Sequence, residues 1–192
     1  AKLLGESGGI MQRFMNAYHA RLLALLSAIV AAAVMRLVPH PPNFTPIGAM
    51  ALFSGAYLGR RGLALVAPLG ALFLSDLVLG FYHGMATVYF SVVLIVLIGW
   101  WLSTRRSFWR VGAAALASSV LFYTVTNFGM WLFSGIYPRT LAGLEACYVA
   151  AIPFFQNTVA GDLVYTALLF GGFALLLDAL PLLRRTQEPK PA

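Results

Sequence analysis

Six apolar runs, separated by short polar segments, make up most of the chain. They cover residues 22–38, 47–59, 63–79, 86–102, 111–133 and 158–180. Apolar runs of this kind predict membrane-spanning helices. The second run is short, because its 13 residues rise only about 20 Å against a hydrocarbon core of about 30 Å. We expect its loops to help it across, or a protein-lined part of a bundle to enclose it.

The runs predict one domain over residues 22–180, because no long linker separates them. We expect residues 1–21 to form a cytoplasmic N-terminal segment and residues 181–192 a cytoplasmic tail. The first run also has the basic start, apolar centre and small residues (Ala31-Ala32-Ala33) that are typical of a secretory signal. The long segment before it and the immediate return to apolar sequence favour a retained helix.

A concentration of polar groups lies between the fifth and sixth runs. Residues 134–162 hold Arg139, Glu145, Cys147, Gln156, Asn157 and Asp162. Lipid cannot host such groups. Within this stretch, residues 140–152 predict a short helix with one apolar face. We interpret it as an extracytoplasmic helix that folds over the mouth of the bundle, and an ordinary exposed loop with a surface helix is the alternative.

Composition supports an all-α integral membrane protein. The chain is 60% hydrophobic and 10% charged, whereas soluble domains are about 45–50% apolar and about 25% charged. A single Cys excludes an intrachain disulfide and any multi-Cys metal site. The sequence shows no phosphate-binding loop, dinucleotide fingerprint or nucleophile elbow, and its three His are scattered. We therefore expect neither an enzyme nor a cofactor or metal site.

The basic residues predict the orientation. If all six runs cross the membrane, only Arg36 and Arg139 of the 13 Lys and Arg lie on one side. The other eleven share the opposite side, which the positive-inside rule assigns to the cytoplasm together with both termini. Omitting the second crossing would scatter these charges over both faces. Because the basic residues flank apolar runs, they indicate topology and not binding to nucleic acid.

In this layout, scarce polar side chains gather at the outer ends of the helices, as a ligand cavity requires. The candidate ligand-binding residues are Asn43, Asp76, Tyr82, Tyr89, Asn127, Cys147, Asn157 and Asp162. Several of them have a structural alternative. Asp76 would be satisfied by an ion pair with Arg36 or Arg139, and Asn127 by a neighbouring helix. The tyrosines would serve as interface anchors, and Cys147 as a small hydrophobe.

Several segments resemble an uncharacterised bacterial membrane family. They are 42–51 (starting Pro42-Asn43-Phe44-Thr45-Pro46), 74–80 (starting Leu74-Ser75-Asp76), 125–129, 137–138, 146–155 and 157–162. That family resembles the substrate-binding (S) components of energy-coupling factor transporters in size, number of spans and topology. The resemblance covers residues 22–180. It implies a six-transmembrane-helix bundle in the bacterial inner (cytoplasmic) membrane.

The resemblance also implies a function. S components bind a vitamin or a metal ion in an outward-facing cavity and dock on a membrane subunit that is driven by two ATPases. Docking uses small residues on the first helix, which are Ala24, Ala28 and Ala32 here, although packing within the bundle produces the same spacing. Residues 137–155 would act as a lid over the ligand.

Three ligand types remain open. Aromatic residues suit a flat, neutral vitamin, the outer carboxylates suit a cation, and Cys147 suits a corrinoid cobalt. The first functional alternative is an accessory or scaffold subunit of a larger membrane complex with no ligand of its own. A membrane enzyme that acts on a lipid-like substrate through Asp76, Asp162 and His83 ranks third, because no spacing demands it.

Overall fold

The structure is a computed structural model that describes residues 2–59 and 62–183. Its described part contains helices and no strand. The helices are α1 (Lys2–Met35), α2 (Ile47–Leu58), α3 (Gly62–Leu79), α4 (Met85–Leu102), α5 (Phe108–Phe133), α6 (Leu141–Thr166), a π-helical segment (Ala167–Gly171), α7 (Gly172–Ala179) and a final 3-10 turn (Pro181–Leu183).

Five stretches are long and apolar enough to cross a membrane. They are Met15–Met35 of α1, then α3, α4 and α5, and finally Leu141–Ala179, which joins α6 to α7. This pattern is compatible with the predicted membrane protein. α1 also extends the first predicted span back to Lys2. Arg60, Arg61 and most of the predicted tail, residues 184–192, lie outside the described residues.

The short helix α2 forms the centre of the bundle. Its first ten residues, Ile47 to Ala56, are all buried, and it packs against α1, α3, α4, α5 and α6. A helix that is apolar all round lies either in a protein core or in lipid, and the neighbours of α2 place it in a protein core. The expectation that protein would surround this short helix is therefore confirmed.

Glycines let α2 and α4 pack with their backbones in contact. A Cβ on Gly55 would overlap the carbonyl oxygen of Val96, and a Cβ on Gly99 would lie 2.5 Å from the carbonyl oxygen of Leu52. Helices in an apolar solvent associate through such close packing, because lipid provides no hydrophobic drive between them. The α2–α4 crossing therefore depends on these two glycines.

Contacts between helix ends show that consecutive helices alternate in direction. Arg36, just after α1, pairs with Asp76 near the end of α3, and Tyr89 near the start of α4 bonds to the same carboxylate. At the other end of the bundle, Arg106 donates to the carbonyl oxygen of Ala56 in the last turn of α2, at 2.7 Å. We call the end that contains Asp76 the cavity end.

The predicted short helix between the fifth and sixth spans is not a separate element. Residues 141–152 form the first half of α6, which continues through Pro153 to Thr166. Thr140 starts the helix by accepting the Gly143 N–H at 3.1 Å. Pro153 removes one helical N–H, and the helix tolerates it. The 39 residues of Leu141–Ala179 rise about 58 Å, roughly twice the hydrocarbon thickness.

Candidate functional site

Two adjoining cavities lie at the cavity end. The main cavity has a volume of about 460 Å³ and lies between α4, α5, the first half of α6 and the connecting loops. The side cavity, of about 190 Å³, extends toward the end of α1 and the start of α2. Both are lined by Asn43, Tyr82, Val88, Phe122 and Thr158. The main cavity alone falls within the usual size range of small-molecule sites.

The structure brings five of the eight predicted ligand-binding residues to these cavities. Asn43 and Tyr82 line both, Asn127 and Cys147 line the main cavity, and Asp162 lines the side cavity. The other three, Asp76, Tyr89 and Asn157, line neither of them. Their contacts lie within the protein.

Asp76 forms a buried ion pair. Its carboxylate is fully buried and lies 2.9 Å from the Arg36 guanidinium, atom Oδ1 to atom Nη2. Tyr89 donates its hydroxyl to the other carboxylate oxygen at 2.9 Å, and Ser75 bonds to the same guanidinium. A buried carboxylate is stable only when it is paired and hydrogen-bonded. The ion pair with Arg36, which the sequence left open as an alternative, is thus the one observed.

The Asp162 side chain caps the N-terminus of the central helix α2, although Asp162 is far from α2 in the sequence. Pro46 precedes α2 and offers no capping side chain, so the first N–H groups of α2 need another acceptor. The Asp162 carboxylate, on α6, accepts the N–H of Ala49 and the hydroxyl of Ser119 at 2.6 Å. A negative charge at a helix N-terminus is favoured by the helix dipole. Gly48 leaves the space that this carboxylate occupies.

Two asparagines shape the loop between α1 and α2. Asn157 donates its amide to the carbonyl oxygen of Pro42 at 2.9 Å, which ties α6 to this loop. Asn43 adopts a left-handed backbone conformation with φ of 63°, which asparagine tolerates better than most residues. The Asn43 amide has no hydrogen-bond partner among the described residues. It therefore retains its full hydrogen-bonding capacity at the junction of the two cavities.

The first half of α6 is fastened to α5 by reciprocal hydrogen bonds. Tyr123 donates to the carbonyl oxygen of Tyr148 at 2.6 Å, and Tyr148 donates to that of Thr124 at 2.7 Å. Cys147, 2% exposed, donates its thiol to the carbonyl oxygen of Asn127 at 3.4 Å. These contacts make Cys147 a packed side chain of the α5–α6 interface. No group of three metal-ligating side chains occurs among the residues that were described.

The Asn127 side chain has one polar atom that is available for a hydrogen bond in the main cavity. Its amide nitrogen donates to the carbonyl oxygen of Tyr123, one turn earlier, at 2.8 Å. Its amide oxygen has no partner within the described part of the chain. Asn127 thus presents an unused acceptor from the α5 wall.

Sequence matching places this bundle in a family. A model of DUF6580, a family of unknown function, matches residues 16–183. The chain belongs to this family. Comparisons with curated proteins and with solved structures found no match. The matched region contains all the residues that line the two cavities.

Tyr82 contributes a neutral donor to both cavities of this DUF6580 protein. It lies in the loop between α3 and α4. Burial raises the pKa of its phenol, the nearby Asp76 carboxylate raises it further, and Arg36 lowers it. The hydroxyl is therefore protonated at neutral pH. It has no hydrogen-bond partner in the residues described.

Sequence reasoning missed much of the α5 wall. Phe122, Thr126 and Met130 line the main cavity beside Asn127. Phe122, Thr126 and Met130 recur at i, i+4 and i+8, about one turn apart, which places them on one helix face. A step of one helical turn to either side of Thr126, the residue before Asn127, would have found them.

The predicted docking alanines face inward. Ala32 is buried, and Ala24 and Ala28 are partly buried against the same hydrophobic core. Small residues allow α1 to approach its neighbours within the chain. Packing inside the bundle thus accounts for them, and docking of a partner on them stays a prediction.

Proposed function

We propose that this protein is the membrane substrate-binding component of a small-molecule uptake system. The main cavity carries the proposal, because a space of about 460 Å³ with mixed polar and apolar walls is typical of a ligand site. The resemblance to S components supports uptake as the purpose of binding. In this proposal the six helices α1 to α6 cross the bacterial cytoplasmic membrane, and both termini are cytoplasmic.

The distribution of charge favours an uncharged ligand over a cation. Asp76 is neutralised by Arg36, and Asp162 is engaged by the N-terminus of α2 and by Ser119. The third outer carboxylate, Glu145, is exposed and lines neither cavity. No carboxylate among the described residues lines the main cavity, where neutral groups predominate, so a cation would lack a counter-charge there.

The polar groups with unused capacity indicate how such a ligand would be recognised. Asn43 offers both a donor and an acceptor, Asn127 offers an acceptor, and Tyr82 offers a donor. Phe122 and Phe154 add apolar wall surface. A flat, uncharged molecule with hydrogen-bonding atoms along its edge matches this arrangement, because a few placed polar groups fix orientation while apolar walls supply affinity.

Uptake requires the cavity to open and close. The first half of α6 is the candidate lid, since it forms one wall of the main cavity and Pro153 interrupts its hydrogen bonding to the second half. Movement at Pro153 would separate residues 141–152 from α5. The sequence has no nucleotide-binding motif, so the energy for release would come from a partner such as an ATPase-driven membrane subunit, or from a gradient.

The main cavity also distinguishes the ligand-binding proposal from its first alternative, a scaffold subunit. A scaffold subunit without a ligand predicts a cavity end that is filled by the protein's own side chains. The open main cavity favours ligand binding instead. The lipid-enzyme alternative loses support as well, because Asp76 and Asp162 are both engaged within the protein.

Native mass spectrometry of gently purified protein tests the proposal. We expect the wild-type protein to carry a small molecule that is also retained by Asn16→Leu, an exposed position on α1 remote from the cavity. Asn127→Leu should lose it, because the variant removes an acceptor from the cavity wall. Wild-type protein that carries no molecule after incubation with cell extract, or equal retention by both variants, would contradict the proposal.

A further inference from the structure

The turn between α4 and α5 exposes three large aromatic side chains. Trp101 is 66% exposed, Phe108 82% and Trp109 81%. The rings of Phe108 and Trp109 pack edge to face with centroids 5.2 Å apart. Exposing an apolar patch of this kind to water is unfavourable, whereas Trp is favoured at the boundary between lipid headgroups and acyl chains.

The same turn carries positive charge that has no counterion among the described residues. Arg105 and Arg110 are exposed, and the Arg110 guanidinium lies 6.0 Å from the centre of the Trp101 ring. No Asp or Glu occurs between Asp76 and Glu145 in the sequence. Neither arginine forms an ion pair with any residue that the structure describes. Both guanidinium groups are therefore available to an external anion.

A third arginine fixes the turn in place. Arg106 donates to the carbonyl oxygen of Ala56 at 2.7 Å, and its guanidinium lies 4.5 Å from the centre of the Tyr57 ring. Ser103 bonds back to the carbonyl oxygen of Trp100 at 2.6 Å. Arg106 thus anchors the turn to the end of α2, so the exposed groups are presented by a preorganised segment.

We propose that the turn over residues 101–110 binds the phosphate of an anionic phospholipid. Arg105 and Arg110 contact the headgroup, because guanidinium groups form charge-assisted hydrogen bonds to phosphate oxygens. The aromatic rings lie at the base of the headgroup layer, which favours a lipid over free phosphate. The lipid belongs to the cytoplasmic leaflet in the proposed topology. This inference needs the membrane location but not the uptake function.

Titration with two lipids of the same acyl chains tests the proposal. We expect native mass spectra of the full chain to show phosphatidylglycerol adducts at lower lipid concentration than phosphatidylcholine adducts. Each arginine near a membrane surface contributes about a fivefold preference. The double variant R105Q/R110Q should therefore reduce the phosphatidylglycerol preference by at least about tenfold. R139Q, an exposed arginine beyond the opposite end of α5, is the matched control and should leave it unchanged.

A second measurement keeps the test independent of how the double variant folds. R105K/R110K retains the charge and should retain most of the preference. In the wild-type protein, brominated phosphatidylglycerol should quench tryptophan fluorescence more than brominated phosphatidylcholine, and W101F/W109F should remove the difference. Equal adducts and equal quenching for the two lipids would overturn the proposal. So would a loss in R139Q as large as the loss in R105Q/R110Q.

Discussion

At the residue scale, the buried charged side chains at the cavity end stabilise the protein and do not face the ligand space as free charges. Asp76 and Arg36 neutralise each other, and Asp162 serves the N-terminus of α2. An ionisable residue inside a membrane is a functional candidate by default. Here the local partners account for both carboxylates, and the neutral amides of Asn43 and Asn127 become the better binding candidates.

Removing one partner of the buried ion pair should destabilise the protein strongly. We expect Arg36→Ala to lower the free energy of unfolding in detergent by about 3–5 kcal/mol, because it leaves Asp76 buried and unpaired. Arg139→Ala, at an exposed position, should change it by less than about 0.5 kcal/mol. The double variant R36M/D76L should recover most of the loss. A single variant as stable as wild type would contradict the assigned pairing.

The hydrogen bonds that Asp162 accepts should contribute to the free energy of unfolding. Asp162→Leu leaves the Ala49 N–H and the Ser119 hydroxyl without their acceptor. The expected loss in unfolding free energy is about 1–3 kcal/mol. Asp162→Asn keeps an acceptor oxygen and should cost less. Thermal unfolding of the purified variants measures both, and equal losses would argue against a hydrogen-bonded cap.

At the element scale, two helices differ from their appearance in the sequence. α2 is too short to span the hydrocarbon core of a membrane on its own, and five neighbouring helices enclose it. α6 is one continuous helix where a proline and a polar stretch predicted a break. In both cases packing against neighbours decides the outcome, because tertiary contacts supply most helical stability in proteins.

The α2–α4 contact should be intolerant of added atoms. Gly55→Ala and Gly99→Ala each place a Cβ against backbone of the facing helix, and we expect each to cost about 1–3 kcal/mol. A Cβ on Gly70, in α3, meets nothing within 4 Å. Gly70→Ala should therefore be neutral, or stabilising by up to about 1 kcal/mol. Unfolding measurements on all three variants provide the comparison.

Cys147 should report movement of the first half of α6. It is the single cysteine of the chain and is buried against α5, so maleimide should label it slowly. The double variant Y123F/Y148F removes two hydrogen bonds of about 1 kcal/mol each and should raise the labelling rate by roughly thirtyfold.

Tyr137→Phe is the control for this experiment, because the Tyr137 hydroxyl bonds to none of the described residues. Its labelling rate should equal that of wild type. Rapid labelling of the wild-type protein, or an unchanged rate in Y123F/Y148F, would show that these bonds do not hold the lid.

At the scale of the whole molecule, the proposed topology requires α2 to cross the membrane. In a Cys147→Ala background, we expect Pro39→Cys and Ser134→Cys to react with an impermeant maleimide in intact cells. Ser107→Cys should react only after the membrane is opened. All three positions are on loops or helix ends of the bundle. If α2 does not cross, Pro39→Cys and Ser134→Cys will lie on opposite sides and will label differently.

The amino-acid sequence by itself determined the all-helical class, the approximate bounds of α2 to α5 and the choice of polar candidates. Hydrophobic runs and their lengths are local properties, and a helix satisfies its backbone hydrogen bonds within its own segment. Asn43, Tyr82, Asn127, Cys147 and Asp162 could be chosen because polar groups are rare in such a chain.

Only the tertiary structure decided which groups meet. The pairing of Asp76 with Arg36 joins residues 40 positions apart, and the capping of α2 by Asp162 joins α2 to α6. The inward direction of Ala24 and Ala28 depends equally on how α1 packs. Local periodicity carries no information on these contacts, because the angles and rotations between helices come from side-chain packing across the whole bundle.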